Sequence, residues 1–335
     1  MVHLVYCDDK EKVLEKILDG SKTMIIKPDM SYVAQITEMA YENYIAACKT
    51  VYQLEKRSSS EIGKTIEEAV KDGHGLLCVD GDRLLGYLLC ASHWGNSENQ
   101  NYCFPVWGYG SIAEDSEKII SMLFQKLAEE HFNGRKIHYE FKFYPHDEKI
   151  IKLFSFMQFG IQCVEEIRCT DEVVFEGEIQ NIRELTRREI QTRWTEVWDL
   201  IFMLTDHLRK SPIFYPGEEF SEEIYKNYLL DEDTRLFVYE TEGEIIGIMD
   251  ASKNGNSFIT DHSDYYNVGD IYVKRRYRGQ LIAQKLLQHV NDVLRHEGIS
   301  HLWVEHGTAN PNARRFWNKY FTIYSYTSIR DIYTF

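Results

Sequence analysis

The sequence predicts an α/β (α+β) protein built from two copies of one unit, each a mixed sheet carrying amphipathic helices. Three observations lead there. A strand–turn–strand pattern occurs twice, as G-L-L-C-V-D-G-D-R-L-L-G-Y-L-L-C (Gly75 to Cys90) and R-L-F-V-Y-E-T-E-G-E-I-I-G-I-M-D (Arg235 to Asp250). A tight polar turn between apolar runs reads as a β-hairpin. Gly86 and Gly247 hold the same place in the two hairpins, an offset of 161 (247 minus 86). Further on, K-I-H-Y-E-F-K-F-Y-P leads into I-K-L-F-S-F-M-Q-F-G, and H-L-W-V-E-H-G-T-A-N-P leads into A-R-R-F-W-N-K-Y-F. Phe154 then pairs with Phe316, and Phe159 with Phe321, both at an offset of 162. Two distant pairings at nearly one offset are the signature of an internal repeat.

Each unit opens with a strand, Thr23–Lys27 and Gln180–Leu185. Amphipathic helical stretches follow, Ser31–Val51 and Glu189–Leu208, and a shorter one precedes each hairpin. After the hairpin come a strand, a helix, a strand and a short helix ending in an aromatic residue. Helices laid on a mixed sheet define the fold class. The boundary falls near Cys169–Glu178, which gives a leading segment 1–20, a first domain 21–170 and a second domain 171–335. A chain of 335 residues exceeds one ordinary core, in keeping with two domains.

Bulk properties narrow the functional classes. No apolar run approaches the ~20 residues that span a bilayer, so no membrane partner is expected. The N-terminus M-V-H-L-V-Y-C-D-D-K lacks the basic-then-apolar pattern of an export signal. The 7 cysteines form no C-x-x-C pair, and an odd count without that signal points to reduced thiols and a cytoplasmic protein. A net charge of −15 repels phosphates, so no nucleic acid partner is expected. The acidic stretch D-H-S-D-Y-Y (Asp261 to Tyr266) reads as hairpin-loop polarity, and no metal is expected.

The most informative segment is D-I-Y-V-K-R-R-Y-R-G-Q-L-I-A-Q-K-L-L-Q-H-V, Asp270 to Val290. It opens as a strand, turns through a basic glycine-containing loop, and enters a helix with apolar face Leu281, Ile282, Leu286, Leu287 and Val290. A helix start offers free N–H groups and a positive dipole end, which suit a pyrophosphate. Lys274, Arg275, Arg276 and Arg278 add positive charge, and Gly279 allows close backbone approach.

This stretch resembles motif A of the GNAT (GCN5-related) N-acetyltransferases, a Val, four residues, then Arg/Gln-x-x-Gly-x-Gly/Ala. Val273, Arg278 and Ala283 fall on it, with Gly279 beside Arg278, while Leu281 stands where the pattern has its central glycine. The neighbouring apolar positions place the Leu281 side chain toward the core. W-V-E-H-G-T-A-N-P-N-A-R-R-F-W-N-K-Y-F (Trp303 to Phe321) resembles the family's strand five and following helix, matched at Asn310, Ala313 and Phe316. The resemblance implies two tandem GNAT folds, each a mixed, mostly antiparallel sheet flanked by helices. It also implies acetyl-CoA as cosubstrate. The expected contacts are Ile271, Tyr272 and Val273 on the strand, Arg278, Gly279, Gln280, Leu281, Ile282, Ala283 and Gln284 on the turn, and Asn310, Ala313 and Phe316 beyond.

The implied activity is acetyl transfer from acetyl-CoA to a primary amine of a small molecule or peptide. Val273 matches the family's carbonyl-polarising backbone N–H. A carboxylate accepts the ammonium proton, with Asp270 the first candidate and Glu305 the second. Trp317 replaces the family's usual tyrosine acid, and Tyr320, one turn later, is the remaining phenol. The first copy has Glu114, Asp115 and Glu117 where the second has arginines and glycine, and carboxylates there repel a pyrophosphate. It resembles the degenerate copy of mycothiol synthase-like tandem proteins. Acceptor choice is expected in the loop His207 to Glu223, where Phe214 and Tyr215 beside Glu218, Glu219, Glu222 and Glu223 suit a cationic amine. Two other functions compete. One is a catalytically silent acyl-CoA sensor or scaffold, and the other, disfavoured by the charge, is an aminoacyltransferase using charged tRNA.

Overall fold

The structure is a computed structural model that describes residues 23–132, 134–215 and 220–333. The leading segment 1–20, Glu218 and Glu219 lie outside the described residues. These residues fall into two compact units: 23–50, 56–160 and 327–333 make unit 1, and 51–55 with 161–326 make unit 2.

Unit 1 begins with β1 (Thr23–Ile26), α1 (Val33–Thr50) and α2 (Ser59–Asp72). The predicted hairpin is β2 (Gly75–Asp80) and β3 (Arg83–Leu89), followed by β4 (Ser92–Gly95), β5 (Asn99–Phe104) and β6 (Tyr109–Ser111). Then come α3 (Ser116–His131), β7 (Lys136–Phe143) and α4 (Glu148–Phe156). β1, β2, β3 and β6 pair in that order, and β4 pairs β5, which runs parallel to β7. The β4–β5 pairing is absent from the two-copy pattern, because polar, exposed S-H-W-G carries no strand signal.

Unit 2 contains β8 (Gly160–Cys169) from Ile161 onward, β9 (Ile182–Leu185), α5 (Arg187–Thr192), α6 (Trp194–Arg209) and α7 (Glu222–Leu230). The second hairpin is β10 (Thr234–Thr241) and β11 (Glu244–Ser252). β12 (Tyr265–Val273), α8 (Ile282–His296), β13 (His301–Gly307), α9 (Pro311–Trp317) and β14 (Thr322–Tyr333) complete it, with β14 from Thr327 counting with unit 1. Its sheet order is β8-β13-β12-β11-β10-β9, antiparallel except for the parallel pair β12–β13.

One face of α8 (Ile282, Leu286, Leu287, Val290, Leu294) is buried against Phe237, Met249 and Val268 of the sheet. The other face of the sheet takes Val197, Leu200 and Leu204 of α6 on Val238 and Ile248. The repeated glycines make this packing possible. A Cβ on Gly247 would stand 3.2 Å from Ile282 Cγ2 and Leu286 Cδ1, and one on Gly86 2.6 Å from Ile119 Cγ2 of α3. In both copies the hairpin glycine is therefore the place where a helix rides on the sheet.

Candidate active site

The site grows from the place where two parallel strands part. β12 and β13 pair only at Tyr265↔His301, Tyr266↔Leu302 and Asn267↔Trp303. Beyond Asn267, β12 stays on β11 while β13 stays on β8 as far as Gly307↔Cys163. A wedge opens between Gly269–Val273 on one side and Glu305–Gly307 on the other. It forms a cavity of about 550 Å³ that reaches from the start of α8 to the loop after α6.

β12 enters the wedge through a bulge. Met249 faces Ile271 and Ala251 faces Val268, so Asp250 alone stands opposite Gly269 and Asp270. The N–H groups displaced from the ladder are met by the Asp250 carboxylate, which accepts from Asp270 N at 2.9 Å and from Gly269 N. A Cβ at 269 would lie 2.3 Å from Asp250 Oδ1, so any larger residue there would displace this carboxylate. Asp250 is buried, and burial followed by the nearby Asp270 charge raises its pKa well above the usual carboxylate range.

Asp270 itself is partly buried and borders the cavity. Its Oδ2 accepts from the Tyr225 hydroxyl of α7 at 2.8 Å. Burial raises its pKa, and the Tyr225 bond opposes that rise. Tyr225 is displaced upward too, by burial first and the Asp270 carboxylate second. A carboxyl with a raised pKa, held by one phenol at a cavity wall, is suited to taking a proton. Asp250, Gly269 and Tyr225 have no role in the sequence reading. An aspartate closing an apolar strand, I-I-G-I-M-D, is the signal that marks the first of them.

The backbone at the end of β12 also faces the wedge. Lys274 N donates to Ile246 O at 2.9 Å, so antiparallel alternation turns the N–H and C=O of Val273 to the other edge, which β13 has left. Arg278 Nε donates to that Val273 carbonyl at 3.0 Å, and its guanidinium lies 5.2 Å from the Tyr272 ring. The remaining basic residues divide into two groups. Lys274 pairs with Glu244 at 2.8 Å, and Arg276 pairs with the same carboxylate. The Lys274 ammonium holds Glu244 below the usual carboxylate range. Arg275 and Arg278 are exposed.

α8 starts without a side-chain cap, so the N–H groups of its first turn point out of the helix toward the cavity mouth. Leu281, at the cap, has φ +60°, in the left-handed region that favours glycine. Its side chain is 50% exposed and borders the cavity, which corrects the expectation that it joins the core. The residue precedes the helix, so the 3.6-residue period that assigns Ile282 and Leu286 inward does not govern it.

The other expected residues are placed as follows. Ile271, Tyr272, Gly279, Ile282, Ala283 and Gln284 border the cavity, as do Asn310, Ala313 and Phe316. Gln280 is exposed, outside the cavity wall. Asn310 caps α9, its side chain accepting from Asn312 N and Ala313 N at 3.2 Å. Glu305 is exposed at the wall, on the strand across from Asp270. Tyr320 packs on Phe316 with ring centroids 5.4 Å apart and does not border the cavity, whereas Trp317 does. Of the acceptor loop, His207, Tyr215 and Phe220 reach the cavity. Phe214 is 69% exposed, and Glu222 accepts from Trp194 Nε1 at 2.6 Å. Asp264 of the acidic loop lies with Glu55 and His301, ligand atoms within 4.8 Å of one another. Ser300 Oγ bridges Asp264 and His301 there.

Residues 201–321 match the profile of the acetyltransferase (GNAT) family, a match that lies within unit 2. The fold is similar to that of a GCN5-related N-acetyltransferase from Sphaerobacter thermophilus, at 13% identity and TM-score 0.57, covering 92% of this chain and 95% of that one. It is also similar to a GCN5-related glucosamine N-acetyltransferase region in a fungal multi-domain β-N-acetylglucosaminidase, at 12% identity and TM-score 0.55, covering 94% of this chain and 38% of that one. A search of curated protein sequences returned no match. Among the described residues no helix is long and apolar enough to cross a membrane.

Proposed function

We propose that unit 2 transfers the acetyl group of acetyl-CoA to a primary amine of a small molecule or peptide. The observation that carries this reading is one cavity bordered at once by an uncapped helix start, an outward-facing backbone N–H and a carboxyl of raised pKa. The fit to CoA rests on that helix start. Its first-turn N–H groups and the exposed Arg275 and Arg278 present positive charge to a pyrophosphate, and the wedge admits a narrow pantetheine arm. Bound acetyl-CoA supplies the thioester carbon that the amine attacks.

The chain's own residues then divide the work. The Val273 N–H donates toward the wedge, where a developing negative oxygen is stabilised by a donor already fixed in place. Asp250 holds the bulge that sets the direction of this edge. Asp270 takes the ammonium proton, with Glu305 across the wedge as the second candidate. Tyr215 and Phe220 offer ring faces at the acceptor end, and a cationic amine suits that end. Calorimetry with CoA and thiol release with a panel of amines test the reading. One CoA per chain and release with at least one amine are expected, and no binding to the folded protein would end it. A silent acyl-CoA sensor is the second reading, favoured by Leu281 at the turn and by Trp317 in place of a phenol. Binding without release from any amine would establish it.

A further inference from the structure

The cavity wall carries a second titratable pair. His306 Nε2 lies 2.7 Å from Glu166 Oε1, one on β13 and the other on β8. Glu166 is fully buried and His306 nearly so, yet His306 borders the cavity. With its amide turned so that nitrogen faces these oxygens, Asn318 donates to the same Oε1 at 2.9 Å and to Arg314 O at 2.8 Å. Glu166 Oε2 is buried with no hydrogen-bond partner among the described residues. His306 Nδ1 lies 3.4 Å from the Gly307 carbonyl, too long for a good bond.

Leaving one oxygen of a buried carboxylate unserved costs free energy. Burial raises the Glu166 pKa, and the His306 bond opposes the rise. The position is significant as well. Trp317 lines this wall where the sequence lacks a phenol, and an indole N–H does not yield its proton near neutral pH.

We propose that Glu166 and His306 form the proton couple for the leaving sulfur. His306 gives its imidazolium proton to that sulfur, and Glu166 holds the other end of the ring and orients it. This rests on the acetyl-transfer reading. As the amine nitrogen bonds to the acyl carbon, the C–S bond breaks and its electron pair passes to sulfur. Sulfur takes the proton from His306. The proton that nitrogen sheds in becoming an amide returns to the neutral imidazole through water, so the couple ends as it began. The ammonium proton has gone to Asp270 beforehand. An imidazolium is in general a stronger acid than a thiol, so a transfer in this direction is favourable.

The test compares two leaving groups. With acetyl-CoA, His306→Gln should lower kcat about 100-fold while leaving the CoA dissociation constant within about twofold, and Glu166→Gln should lower kcat about 10-fold. With an acetyl thioester of an arenethiol, which departs without needing a proton, the loss in His306→Gln should shrink to below about 10-fold. Equal losses with both donors would mark His306 as merely structural and overturn the proposal, as would no loss with acetyl-CoA. If His306→Gln does not fold, His306→Asn and Glu166→Gln carry the same comparison. Wild type that binds CoA but releases no thiol with any amine would instead overturn the transferase reading, and this one with it.

Discussion

The two copies part their strands at equivalent places, and only one leaves room there. In unit 1 the parallel pair β5–β7 ends at Phe104↔Phe141, and in unit 2 the pair β12–β13 ends at Asn267↔Trp303. Phe141 and Trp303 stand 162 apart (303 minus 141), the offset of the repeat itself. Past that point unit 1 places Phe143 and Tyr144 where unit 2 has Glu305 and His306 (305 minus 143 and 306 minus 144 are both 162). Both aromatics are buried, as are Trp107 and Tyr109, and Tyr109 packs on Phe143 with centroids 5.2 Å apart. Unit 2 lines the wedge with polar, titratable groups instead.

The turns differ in the same sense. Counted by the offset of 162, Ile282 at the start of α8 corresponds to residue 120, yet α3 already starts at Ser116. Four more residues add about one helical turn, which occupies the stretch that unit 2 leaves as the Arg278–Leu281 loop. Exposed Glu114 and Glu117 sit at that turn. A fold can thus keep its backbone plan while two local changes, aromatic filling and an extended helix, remove the space and the charge that a ligand needs.

The comparison is broken most severely by the proton acceptor. Asp270→Asn should preserve CoA affinity and lower turnover of a protonated amine ~100- to 10,000-fold at neutral pH. The loss should shrink as pH rises toward the amine's own pKa, where the nucleophile arrives neutral. If Glu305→Gln loses activity and Asp270→Asn does not, the role passes across the wedge to β13.

Next in size is the charge at the turn. Arg278→Glu should weaken CoA binding about 30-fold or more, because a cation that serves phosphate becomes an anion that repels it. Glu117→Arg in unit 1 should leave the stoichiometry at one, since its turn is already helix. Titration calorimetry reads both, and a second site in the Glu117 variant would show that charge alone separates the copies.

A smaller effect concerns stability. The carboxyls of Asp250 and Asp270 have folded-state pKa values raised above the ordinary value near 3.8, so the folded chain binds protons more tightly than the unfolded one. Their contribution is fully present below about 3.8 and is lost as pH rises through the folded values. Asp250→Asn should therefore flatten the fall in Tm with rising pH across the acidic range, and an unchanged Tm profile would show that the pair carries no such penalty. The smallest effect belongs to Leu281→Gly. Relief of a left-handed φ, worth about 1 kcal/mol, is offset by the entropy of an added glycine, so Tm should barely move. CoA affinity should improve by about 2- to 5-fold as backbone comes nearer to phosphate, within what about 1 kcal/mol allows.

Much of this was legible in the chain itself. The hairpins and the basic turn into α8 follow from short-range periodicity, which side chains impose on their own neighbours. The paired glycines Gly86 and Gly247 could be seen as equivalent, though what they approach could not. Tertiary structure decided the rest, because it depends on residues distant in sequence. Asp250 meets Gly269 and Asp270 only across a bulge, Tyr225 reaches Asp270 from a helix 45 residues earlier, and Glu166 meets His306 over 140 residues. Leu281 illustrates the boundary: the apolar pattern assigned it to the helix face, and a single left-handed backbone angle turned it to solvent.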